Sequence, residues 1–93
     1  METLWVDFNA MGKEGVVLIC KGTIDELNAK SIVLYDGLEL LVWTEDQDDS
    51  GNSDNLTVNA VVKYSNIDKC WVAQFDNEDL MHESERRIKK ASG

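Results

Sequence analysis

Two strongly apolar runs, residues 38–43 (Leu-Glu-Leu-Leu-Val-Trp) and residues 56–64 (Leu-Thr-Val-Asn-Ala-Val-Val-Lys-Tyr), flank a stretch without a single apolar side chain. That stretch, residues 46–55, reads Asp-Gln-Asp-Asp-Ser-Gly-Asn-Ser-Asp-Asn. The second run alternates, with Leu56, Val58, Ala60, Val62 and Tyr64 on one face and Thr57, Asn59 and Lys63 on the other. A period of two is that of a half-buried strand. Gly51 supplies the positive φ that a sharp reversal needs. The spacing predicts two strands joined by a long acidic hairpin loop, and the rest of the chain must supply partners for them.

The remaining pattern predicts those partners. Residues 3–9 alternate, with Leu4, Val6 and Phe8 on one face, and read as the first strand. Residues 16–20 (Val-Val-Leu-Ile-Cys) are apolar on both faces and read as the second. Thr23 with Glu26 three residues later forms a capping-box pattern, so a helix of one or two turns is expected up to about Lys30, burying Ile24 and Leu27. Residues 31–35 read as a short third strand, and Tyr35-Asp36-Gly37 as a turn. After the acidic loop, residues 65–69 read as a hairpin turn and residues 70–75 as a sixth strand. Residues 80–90 are compatible with a helix. Six short strands with Gly, Asp and Asn turns predict a mainly β fold. The expected form is a small SH3-like barrel of five to six antiparallel strands, with one short helix after the second strand and a short C-terminal helix. An OB-like barrel is the alternative. Residues 1–85 form the expected single domain, and residues 86–93 a basic C-terminal tail.

Charge restricts the function classes. Eighteen acids against nine bases give a net charge of −9. Such a chain is ill suited to a nucleic-acid backbone, which demands Lys and Arg, and suits cations or a basic protein partner. No apolar run approaches the length of a membrane helix, and residues 1–7 lack the features of a secretory signal, so a cytoplasmic protein is expected, monomeric or weakly dimeric. Cys20 and Cys70 each lie in an apolar strand pattern and read as buried thiols.

The acidic loop carries the one chemical signature. Set on the twelve-residue calcium loop, Asp46 takes position one, Asp48 three, Ser50 five and Gly51 six. Asn52 offers its carbonyl at seven, and Asp54 sits at nine. Calcium is a hard cation that wants six to eight oxygens at about 2.3–2.6 Å, and alternate positions of a tight loop bring oxygens to one side. Position twelve is Thr57 rather than Glu, and the flanks read as strands, so the loop is not an EF-hand. Asp76, Glu78 and Asp79, or Glu45 beside the loop, are the reserve carboxylates. Without one of them, affinity on the order of micromolar to millimolar is expected. Five uncompensated carboxylates between Glu45 and Asp54 repel one another, which a divalent cation would relieve. The competing reading is a solvated hairpin loop with no ion.

Leu4-Trp5-Val6-Asp7-Phe8-Asn9, Tyr35-Asp36-Gly37-Leu38 and the acidic run from Glu45 to Asp54 together resemble the cyanobacterial calcium-binding protein (CcbP-like) family of small acidic SH3-like barrels. The resemblance extends over roughly the first 80 residues. It implies calcium buffering or signalling, and no ligand is carried over from it.

The other candidates read more plainly. His82 is the single histidine and is expected at the surface. The motifs of serine hydrolases, zinc proteases and P-loop enzymes do not occur, so no enzyme is expected. Trp5, Trp43, Trp71, Tyr35, Tyr64, Phe8 and Phe75 read as core or as cover for strand faces, with an exposed peptide-binding pair as the alternative. The run Arg86-Arg87-Ile88-Lys89-Lys90 reads as a helix end pairing with the acidic body. Two functions follow: weak calcium binding through the loop, or an interaction module whose acidic face meets a basic protein or mimics nucleic acid.

Overall fold

The computed structural model describes residues 1–86. Its elements, in chain order, are β1 (Thr3–Trp5), β2 (Val16–Val17), α1 (Lys21–Lys30), β3 (Glu39–Thr44), β4 (Leu56–Ser65), β5 (Cys70–Gln74), a 3-10 turn (Asn77–Asp79) and β6 (Met81–His82). The sheet order is β1-β3-β4-β5-β2, with β6 also paired to β4. Among the described residues no helix is long and apolar enough to cross a membrane.

β4 organises the sheet. Its first half pairs with β3 through Leu56 to Val61, and its second half pairs with β5 through Val61 to Ser65. A strand that changes partner midway bends the sheet into a curled half-barrel. The inward side chains of the alternation, Val58, Ala60 and Val62, join Leu4, Val6, Val16, Leu18, Leu40, Val42 and Ala73 in one buried cluster. Each such side chain taken out of water contributes roughly 1–3 kcal/mol, and this is the main favourable term for so small a chain. Residues 3–6 hydrogen-bond to β3, whereas Ala10 and Met11 pair with Val16 and Val17. One N-terminal segment therefore touches both ends of the sheet.

The strands are mixed rather than all antiparallel, because β1 runs parallel to β3 with Leu4 opposite Val42. β1 reaches that position through a helical crossover, and α1 then covers its free edge. Lys30 Nζ donates to the Thr3 carbonyl at 2.8 Å, Glu26 accepts from the Trp5 N–H, and Thr23 Oγ1 donates to the Trp5 carbonyl at 2.9 Å. Edge groups left bare would template pairing with another chain. This use of Thr23 and Glu26 replaces the expected capping box. The helix starts at Lys21 with Cys20 as an N-cap that makes no side-chain bond, and Thr23 is buried one turn inside.

Three other expectations are corrected. Ile24 is exposed, and only Leu27 of the expected pair packs on the core. Residues 31–35 are not a strand: Ser31 closes the helix in the left-handed region, and Val33 is left 77% exposed. Apolar composition alone cannot make a strand where no sheet edge is offered. Residues 81–82 are a strand rather than the start of a helix, because β4 offers an open edge at Leu56 and Thr57. Helical backbone begins at Glu83. The expected basic tail beyond Arg86 lies outside the described residues.

Candidate functional site

Residues 46–54 form an ordered two-stranded ribbon that prolongs β3 and β4. The Asp54 N–H donates to the Asp46 carbonyl at 3.0 Å, Gln47 bridges Ser53, and the Asp48 N–H donates to the Asn52 carbonyl at 2.9 Å. The tip closes with the Gly51 N–H on the Asp48 carbonyl at 3.0 Å. Gly51 has φ +84°, a conformation that L side chains rarely adopt. Asp48 Oδ1 also accepts from the Ser50 and Asn52 N–H groups, at 2.9 Å each. A short acidic side chain thus organises its own turn.

Cross-strand partners share a face, so the ribbon sets Asp46, Asp48, Asn52 and Asp54 on one side and Gln47 and Ser53 on the other. Ser50 lies at the tip. Asp46, Asp48 and Asp54 are the acids that the calcium template placed at positions one, three and nine. Their carboxylates, however, turn to separate partners. Asp46 Oδ2 lies 2.7 Å from His82 Nε2, and its Oδ1 accepts from the Gln47 N–H. Asp54 accepts from the Ser84 N–H at 3.0 Å and from the Ser84 hydroxyl at 2.6 Å. Glu45 accepts from the Trp5 indole N–H at 2.9 Å. Asp46 and Asp54 stand opposite each other across the ribbon, and like charges so placed destabilise a strand pair. Donors from residues 82–84 offset that repulsion.

The electrostatics follow from these contacts. His82 Nδ1 lies 3.0 Å from Glu85 Oε1, so both ring nitrogens face carboxylate oxygens. Only the doubly protonated ring donates to both. The hydrogen bond to Asp46, then the one to Glu85, raises the His82 pKa above its ordinary value, and desolvation opposes this. Asp46 is lowered, chiefly by His82 and next by the Gln47 N–H, and Glu85 is lowered by His82. Glu45 is lowered, chiefly by Trp5.

Of the reserve carboxylates, Glu45 borders the ribbon, whereas Asp76, Glu78 and Asp79 lie elsewhere. Asp76 Oδ1 accepts from the Glu78 N–H at 3.0 Å and starts the 3-10 turn that holds Glu78 and Asp79. His82 sits opposite Leu56 and Met81 opposite Thr57, so the chain before Met81 leads along β4 away from the ribbon. Among the described residues no three His, Cys, Asp or Glu side chains gather in a group able to hold a metal ion. A recess of about 410 Å³ flanks the ribbon, lined by Glu45, Asp46, Gln47 and Ser53.

His82, Ser84 and Glu85 are the residues that sequence reasoning missed as parts of this site. The available signal was indirect: a carboxylate-rich ribbon needs a counter-charge, and His82 lies among acids.

The sequence raised an exposed aromatic pair as an alternative binding surface. Tyr64 and Trp71 meet edge to face at 5.4 Å, but Trp71 is half-buried against the core. Trp5 lies beneath α1 at Gly22. Cys20 and Cys70 are free thiols, each half-buried, and burial raises the Cys70 pKa.

No family model, no curated protein and no solved structure matches the chain.

Proposed function

We propose that the chain is a non-enzymatic binding domain, a small SH3-like barrel that presents residues 45–53 as an acidic arm to a basic protein partner. One observation carries the reading. Every residue from 45 to 53 is exposed, yet the segment is a hydrogen-bonded ribbon with its own turn geometry. A shaped arm loses less conformational entropy on docking than a floppy acidic loop would. Asp48 and Asp49 sit at its tip, and a net charge of −9 favours encounter with a cationic surface. His82, the group best suited to acid–base work, has both nitrogens engaged by carboxylates, which supports a non-enzymatic reading. The short strands curled around one core support the SH3-like assignment.

The test is titration with a lysine-rich peptide in the presence of chelator. Binding that weakens steeply with salt, and that drops several-fold in the Asp48→Asn/Asp49→Asn variant, is expected. A parallel calcium titration of metal-stripped protein, followed by amide NMR with magnesium as control, decides the rival. Saturable shifts confined to residues 46–55, with no peptide binding, would replace the arm by a cation-binding loop.

A further inference from the structure

Residues 82–86 cross the base of the ribbon and touch it at successive points. His82 meets Asp46, and Ser84 meets Asp54 through both its N–H and its hydroxyl. The Glu83 N–H donates to the Asn55 carbonyl at 2.9 Å, while Asn55 Nδ2 donates to Glu83 Oε1 at 3.3 Å. Arg86 Nε donates to Thr57 Oγ1 at 2.8 Å. One feature favours this docking and another works against it. Asp46 and Asp54 repel each other across the ribbon whenever the donors leave. Arg86 Nη2 is buried with no hydrogen-bond partner among the described residues. A guanidinium donor buried without an acceptor raises the free energy of the docked arrangement. The segment is therefore fastened well at His82 and Ser84 and badly at Arg86.

We propose that residues 82–86 are a releasable strap. Docked, the strap holds the acidic ribbon in line with β3 and β4. Undocked, it lets Asp46 and Asp54 push the base of the ribbon apart and frees the Asp46 carboxylate. Release starts at the Arg86 end, where Nη2, with no partner among the described residues, gains water, and runs back toward His82. The mechanical coupling stands on these contacts alone, whereas its effect on a basic partner rests on the binding reading proposed above.

Amide hydrogen exchange on the full chain tests it. In His82→Gln/Ser84→Ala, the Asp48 and Asp54 amides, which hold the ribbon together, are expected to exchange about tenfold faster, with the Val58 and Val62 amides unchanged. Unchanged ribbon exchange in the folded variant would overturn the strap. So would uniform acceleration that includes Val58 and Val62, because the contacts would then serve the whole fold. If the double variant does not fold, Ser84→Ala alone is expected to give an increase of about threefold in the same amides, and no increase overturns the proposal. The same variants with the lysine-rich peptide separate the two claims. Faster ribbon exchange in a chain that does not bind the peptide keeps the strap and removes the partner reading.

Discussion

The Nε2 of His82 lies 2.7 Å from Oδ2 of Asp46, although 36 residues of chain separate them. Glu85 takes the other ring nitrogen, so one imidazolium joins the ribbon to the segment that crosses its base. The same ring thus faces a carboxylate of the ribbon and one of the crossing segment.

That geometry fixes a pH dependence. The His82 pKa is raised on folding, so its contribution is complete below its ordinary value of 6.5 and is lost as pH rises through the higher folded value. The Asp46 and Glu85 pKa values are lowered, so their contributions are complete above the ordinary values of 3.8 and 4.5 and are lost as pH falls through the folded ones. The ribbon contacts are thus strongest between about pH 4.5 and 6.5. NMR titration is expected to show a His82 midpoint above 6.5, with the Gln47 amide following it. A His82 midpoint at or below the ordinary value would remove the ion pair.

A second polar lock holds the loop before β2. Ser65, fully buried, donates to Glu14 at 2.7 Å and accepts from the Asp68 N–H at 2.9 Å. Asp68 in turn accepts from the Lys13 and Glu14 N–H groups, and Lys63 pairs with Glu14 at 2.6 Å. Ser65→Ala is expected to cost about 1–3 kcal/mol, since it strands a part-buried N–H and removes a donor from a carboxylate. Urea unfolding measures this, and a change within about 0.5 kcal/mol would show that the lock is not important for stability.

Close approach makes Gly12 part of that lock. A Cβ at Gly12 would stand 2.6 Å from Asp68 Oδ2, whose carboxylate is pinned by two backbone N–H groups. Gly12→Ala is expected to destabilise the fold and to shift the Lys13 and Glu14 amide resonances. Unchanged shifts would mean that Asp68 moves aside freely.

The edge of β1 gives a further test. Thr23→Val keeps the volume of a fully buried side chain and removes its hydrogen bond to the Trp5 carbonyl. The expected cost is about 1–2 kcal/mol, with faster amide exchange in β1 than in β4. Exchange that rises equally in both strands would count against a local role at the edge.

The core offers the largest effect. Leu40 is fully buried on β3 opposite Ala60. Leu40→Ala is expected to cost about 2–5 kcal/mol by differential denaturation, because Ala60 is too small to fill the space left.

The sequence by itself determined the hairpin. Period-two alternation over residues 56–64, the polar stretch before it and Gly51 set two strands and a turn, because strand faces and positive φ are local properties. It also singled out Asp46, Asp48 and Asp54 as acids at alternate positions of the loop. Tertiary structure decided everything that depends on a partner distant in sequence. Thr23 and Glu26 left the helix cap for the backbone of β1, which a local reading could not foresee. Residues 31–35 stayed out of the sheet for want of an edge, while residues 81–82 joined it because β4 offered one. Above all, the partners of Asp46 and Asp54 came from residues 82–84, brought alongside only when β6 pairs with β4. A strand's faces are written in its alternation, but its neighbours depend on which open edge the folded sheet presents.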